Sequence, residues 1–162
     1  MSRHLEIERK FLVKRLPKGW RSKPAARLVQ GYFPTKHGVE IRLRQEDSHH
    51  FITVKAGTGH RRQEEEIEIP KSKFRALWPL THGAQVSKTR HEIAHQRKTI
   101  EMDVYHGRHR GLVTAEVEFD SLAECRAFEP PAWLGREITG SRQYANATLA
   151  RRRGLPRRAK TN

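Results

Sequence analysis

The sequence has a single cysteine, Cys125, so no disulfide can close within one copy of the chain, and a reducing compartment suits it. The residues around it read as an amphipathic helix, which makes Cys125 a packed structural thiol rather than a nucleophile. Long apolar runs are missing too. None approaches the ~20 residues a membrane span needs, and charge appears within a few residues of Met1, unlike a signal peptide. The expectation is a soluble, cytoplasmic protein with no membrane partner. Aromatic residues are only 7% and fall mostly on apolar faces, which argues against a nucleic-acid platform built on stacked bases.

Acids are absent from Arg151 onward, where Arg151, Arg152, Arg153, Arg157, Arg158 and Lys160 stand together. This divides the chain into one domain, residues 1–153, and a basic tail, residues 154–162. The net charge of +15 calls for an anionic partner, and the domain stays basic when the tail is set aside. The tail itself could make non-specific nucleic-acid contacts.

What the sequence has in quantity is alternation with period two, the signature of a strand with two unlike faces. It runs through residues 5–11, 39–44, 51–55, 64–69, 88–92, 101–105 and 115–120, and a less regular segment at 28–33 brings the count to eight strands. Turn signals at 34–38, 56–59 and 106–111 separate several of them. The expected fold is mainly β, an eight-stranded antiparallel barrel with a few flanking helices. The helices are placed at 71–78, after the capping pair Ser121 and Glu124, and at 144–153.

The polar faces of these strands are ionisable, and their sign is sorted by strand. Acids fall at Glu6, Glu8, Glu64, Glu66, Glu68, Glu116, Glu118 and Asp120, and bases at Arg42, Arg44, Lys55, Lys88 and Arg90. Such a pattern could be the solvated side of an open sheet. Turned into a bore instead, clustered carboxylates suit a hard divalent cation such as Mg²⁺, and the bases suit a phosphate chain. Cation, phosphate and ordered water together make hydrolysis the economical reaction. The apolar outer positions of such a barrel need cover, so a homodimer is plausible.

Starting at Glu6-Ile7-Glu8-Arg9-Lys10, the chain resembles the CYTH family, or triphosphate tunnel metalloenzymes, whose N-terminal signature is Glu-x-Glu-x-Lys. The resemblance continues through Gln30-Gly31-Tyr32, Ile41-Arg42-Leu43-Arg44, Thr53-Val54-Lys55, Arg62-Gln63-Glu64, Lys88-Thr89-Arg90, Asp103-Val104-Tyr105, Glu116-Val117-Glu118, Gly135-Arg136-Glu137-Ile138-Thr139 and Tyr144-Ala145-Asn146.

It implies a tunnel that binds triphosphate with Mg²⁺ or Mn²⁺. Glu6, Glu8, Glu116 and Glu118 would stand on the metal side, with Glu64, Glu66 and Asp103 as further acidic lining. Lys10, Arg42, Arg44, Lys55, Lys88 and Arg90 would grip phosphate. Lys10, Tyr32 and Lys55 are the catalytic candidates, with Tyr32 either pairing with Lys10 or simply packing. The short chain is similar to inorganic triphosphatases, which cleave tripolyphosphate to pyrophosphate and phosphate. Nucleotide or thiamine triphosphatases and class IV adenylate cyclases share the grip and stand as alternatives, and a non-enzymatic polyphosphate or RNA binder is a third. His49, His50, His91, His95, His106 and His109 show no metal-type spacing and are expected on the surface or in loops.

Overall fold

Where one face of a segment is charged and the other apolar, the only backbone that separates them residue by residue is extended. The computed structural model describes residues 7–56 and 63–156, and among them nine strands form, most of which obey this rule. They are β1 (Ile7–Val13), β2 (Ala25–Tyr32), β3 (Glu40–Glu46), β4 (His49–Ala56), β5 (Gln63–Glu68), β6 (Gln85–His95), β7 (Lys98–Tyr105), β8 (Val113–Phe119) and β9 (Leu134–Glu137). All neighbours pair antiparallel, in the order β5-β4-β3-β2-β6-β7-β8-β1-β9.

The antiparallel class and the first eight strands match expectation. Two details are corrected. A ninth strand, β9, joins the edge of β1, and among the described residues the hydrogen-bonded ladder ends at β5 and β9 instead of closing into a barrel. The sheet curls all the same. Tyr32 on β2 and Leu12 on β1 belong to one apolar cluster, although β6, β7 and β8 lie between them in the ladder. Lys88 on β6 likewise feels the charge of Lys10 on β1. The result is a trough whose concave face carries the charges.

Two apolar cores hold this shape. The first lies on the convex side, where Phe11, Ile93, Ile100, Met102, Ala115, Val117 and Phe119 pack under Phe128 and Leu134. Helix α2 (Leu122–Ala127) covers part of it, opened by Glu124 N–H donating to Ser121 Oγ at 3.2 Å. Helix α1 (Lys71–Leu77) seats Phe74 against His50 on β4, with ring centroids 4.8 Å apart.

The second core lies at one end of the concave side. There Leu12, Tyr32, Val86, Tyr105 and Leu112 meet Ile138, Tyr144, Leu149 and Ala150. Helix α3 (Asn146–Arg151) thus floors one end of the trough. It is shorter than the expected 144–153, because residues 142–144 form a 3-10 turn and Arg152 is extended. Tyr105 Oη donates to Asn146 Oδ1 at 2.7 Å, Arg108 donates to the Ala150 carbonyl, and Arg151 donates to the Phe33 carbonyl at 3.1 Å.

The histidine expectation holds for the exposed His49 and His106 and, as to place, for His109 in its turn, and it is corrected for His50 and His91. His50 and His91 are buried on strands, and His109 is buried although it sits in a turn. Each has an aromatic neighbour: Phe74, Trp20 at 4.7 Å and Tyr105 at 6.4 Å respectively. A neutral imidazole is flat enough to pack as an aromatic, which a spacing search for metal ligands does not register. Among the described residues no helix is long and apolar enough to cross a membrane.

Candidate active site

Register places the expected site residues on one face. Lys10 stands opposite Glu116, which stands opposite Glu101, and Glu8 stands opposite Glu118. Arg90 faces Asp103, and Lys88 faces Tyr105. Tyr32 faces Arg42, Arg42 faces Thr53, and Lys55 faces Glu64. Since side chains directly opposite each other emerge on the same side of a sheet, Glu8, Lys10, Tyr32, Arg42, Arg44, Lys55, Glu64, Glu66, Lys88, Arg90, Asp103, Glu116 and Glu118 line one surface. Glu6 lies outside the described residues.

The strand order sets acid strands beside basic ones, so the charges are paired across the ladder. Arg44 holds Glu66 at 2.7 Å, Lys55 holds Glu64 at 2.6 Å, and Arg42 lies 3.7 Å from both Glu64 and Glu66. Arg90 binds Asp103 through two nitrogens at 2.8 and 3.0 Å, pairs with Glu101, and reaches Glu116 at 3.5 Å. Lys10 pairs with Glu116 at 2.6 Å, and Lys88 with Asp103. Sorting of sign by strand therefore leaves many of the charges neutralised in pairs across the ladder, while acids still gather around Glu101. Tyr32 Oη donates to Gln30 Oε1 at 3.3 Å and neighbours Arg42, whereas Lys10 has Glu116 as its ion-pair partner.

Burial tunes these groups unequally. It raises the Tyr32 phenol well above its ordinary range, so Tyr32 stays protonated and can donate a hydrogen bond. It also lowers Lys88, against the opposing pull of Asp103. Asp103 and Glu116 would both rise on burial, yet the cations around them win: Lys88 and Arg90 hold Asp103 below the usual carboxylate range, and Lys10, Lys88 and Arg90 do the same for Glu116. Glu101 goes the other way. Burial pushes it up, Arg90 pulls it back, and Asp103, Glu116 and Glu118 add to the rise, so the net shift is upward.

Glu101 was not among the expected site residues, although its position two before Asp103 on the same face of an alternating strand was the signal for it. With Thr99 and Glu118 it lines a cavity of about 140 Å³. This end of the trough carries Glu8, Glu101, Glu116 and Glu118, an oxygen-only donor set of the kind Mg²⁺ and Mn²⁺ take. Among the described residues no three acids or histidines converge as a ready metal site, because Glu101 and Glu116 are turned onto Arg90 and Lys10. Glu101 is nevertheless a buried carboxylate beside Glu116 and opposite an all-oxygen set, and a divalent cation would offset both its burial and its acidic neighbours, so the residues fit one.

A family model described as the CYTH domain matches residues 4–152. The chain belongs to the CYTH family. An inorganic triphosphatase of Nitrosomonas europaea is 43% identical over 147 residues, covering 90% of this CYTH chain and 96% of the relative. An inorganic triphosphatase of Acetivibrio thermocellus is 34% identical over 151 residues, covering 90% and 93%. The crystal structure of an inorganic triphosphatase superposes with a TM-score of 0.72 at 41% identity, covering 91% of this CYTH chain and 95% of that one.

Proposed function

We infer that this chain hydrolyses inorganic tripolyphosphate to pyrophosphate and phosphate with the help of Mg²⁺ or Mn²⁺. The observation that carries the reading is a single concave face on which a row of bases, Arg42, Arg44, Lys55, Lys88 and Arg90, runs into a crowd of carboxylates. The two triphosphatase relatives, aligned over nine-tenths of the chain, support it.

In this reading the guanidinium forks of Arg42, Arg44 and Arg90 exchange carboxylate partners for phosphoryl oxygens, and Lys55 and Lys88 add point charges. Arg44 keeps its guanidinium over the Phe51 ring and has a donor, Nε, that makes no hydrogen bond within the chain. Glu8, Glu116 and Glu118, with Glu6, would hold the cation. When bound, it lowers the pKa of water and offsets charge on the attacked phosphoryl group. Lys10, paired with Glu116, stabilises charge that develops as water adds to the terminal phosphorus and gives its proton to solvent. The leaving pyrophosphate takes the electrons of the broken P–O bond while Lys55 and Arg44 neutralise it. Tyr32, locked as a phenol, orients by donating a hydrogen bond.

Phosphate release from tripolyphosphate, measured with and without Mg²⁺ or Mn²⁺, tests this. Metal-dependent release that falls at least tenfold in Lys55→Ala is expected, on the order of one lost charge-assisted contact. Release no higher than in that variant would overturn the reading. Faster turnover of ATP or thiamine triphosphate would move the substrate to the organic triphosphates.

A further inference from the structure

Lys10 is aimed from behind. Its neighbours on β1 are β8 on one side and β9 on the other, and β9 is irregular: its register with β1 shifts between Phe11 and Val13, and the strand stops at Glu137. An edge that ends there would leave the Lys10 peptide without a partner strand. Two residues beyond β9 replace it. Ile138 N–H donates to the Lys10 carbonyl at 2.7 Å, and Lys10 N–H donates to Thr139 Oγ1 at 3.0 Å.

The Thr139 hydroxyl, having accepted from Lys10, donates its own proton to Glu137 Oε1 at 2.7 Å. Glu137 is gripped by the fork of Arg9, with Nε at 3.1 Å from one carboxylate oxygen and Nη2 at 2.7 Å from the other. That hydrogen bonding holds the Glu137 carboxyl below its ordinary range and keeps it an ionised acceptor. Arg9 is anchored in turn by the carbonyls of Cys125 at 3.3 Å and Phe128 at 3.1 Å, and its guanidinium lies over the rings of Phe11 and Phe128. The chain of contacts returns to its origin, because Arg9 and Lys10 are joined by the peptide it fixes. Successive strand residues point to opposite faces, so a clamp on Arg9 at the convex side fixes the direction of Lys10 on the concave side.

We propose that Thr139 is a positioning residue for catalysis, its hydroxyl relaying the Arg9–Glu137 clamp to the backbone N–H of Lys10. This rests on the role given to Lys10 above. A threonine hydroxyl suits the task because it accepts and donates at once, and a β-branched side chain has few χ1 rotamers to choose from. Loss of the hydroxyl leaves the Lys10 N–H without an acceptor in a part-buried setting and frees its peptide to rotate. Small errors in aim at a reacting centre are amplified in rate.

Thr139→Val and Thr139→Ser separate shape from hydroxyl. With tripolyphosphate and Mg²⁺, the expected result is a kcat lowered about five- to tenfold in Thr139→Val, a KM within about twofold, and near-complete recovery in Thr139→Ser. In a Lys10→Ala background Thr139→Val should cost nothing more, since a residue acting only through Lys10 has no target left. Amide hydrogen exchange, which needs no activity, should show the Lys10 N–H less protected in Thr139→Val and as protected as in the wild type in Thr139→Ser. An unchanged kcat in Thr139→Val, an equal loss in Thr139→Ser, or a further loss in the Lys10→Ala background would each overturn the proposal. A wild-type chain without triphosphatase activity would overturn the functional reading instead, and the exchange measurement would still decide whether the clamp exists.

Discussion

At the scale of single residues, the clearest dependency is Asp103. It is fully buried, accepts both Arg90 nitrogens, and pairs with Lys88, which is only 1% exposed. Removing one partner of a buried pair leaves the other as an uncompensated charge in a poorly solvated place, at a cost of about 3–5 kcal/mol. Asp103→Ala should therefore lower stability by that order in a denaturant titration, and by more than Glu66→Ala, whose carboxylate is 30% exposed and screened. Residue identities on the charged face were legible in the sequence, since period-two spacing names the face. Their partners were not. Pairing of Arg44 with Glu66 depends on β4 lying between β3 and β5, and that of Lys10 with Glu116 on β1 meeting β8, facts of strand order that no local pattern carries.

At the scale of elements, Gly31 shows how a strand and a turn fix each other. An added Cβ there would stand 2.7 Å from Thr81 Cβ and 2.9 Å from Trp78 Cζ3, in the 3-10 turn Trp78–Thr81 that packs on β2. Thr81 cannot retreat easily, because it is buried and donates to the Trp78 carbonyl at 2.8 Å. Gly31→Ala should destabilise by about 1–3 kcal/mol in thermal or chemical unfolding. The turn around His109 yields a pH dependence. Burial, then Arg108, lowers His109 below its ordinary 6.5. The unfolded chain therefore binds the proton more readily, so this contribution to stability is complete above about pH 6.5 and declines as pH falls below it. The drop in melting temperature between pH 7.5 and 5.5 should be smaller in His109→Phe. It should not vanish, since His91 is lowered in the same sense by burial.

Long alternating strands such as β6 and β7 were legible because each has an apolar side to bury. β9 was not, because Leu134-Gly135-Arg136-Glu137 is only four residues long, contains glycine, and earns its extended form from a neighbour, β1, that is remote in sequence. The second core was equally hidden. Tyr32, Val86 and Tyr105 sit on the face read as charged, and only the docking of α3 makes their end of it apolar.

At the scale of the whole molecule, the bases of the trough already hold carboxylates before any phosphate arrives. Tripolyphosphate without metal should still stabilise the fold, by about 2.7 kcal/mol at a concentration one hundred times its dissociation constant. Arg44→Ala should lower that gain in a melting-temperature titration. If these bases grip phosphate as proposed, each one drawn to it would loosen its hold on an acid: Glu64 and Glu66 on one wall, Glu101 and Glu116 on the other. A carboxylate so released is a better home for a dication. On the proposed function the two ligands should therefore be thermodynamically linked, and mutually so, each tightening the other by one and the same factor. In the proposed function, a pocket built this way is an internal salt at rest that would exchange its own counterions for a matched pair from solution.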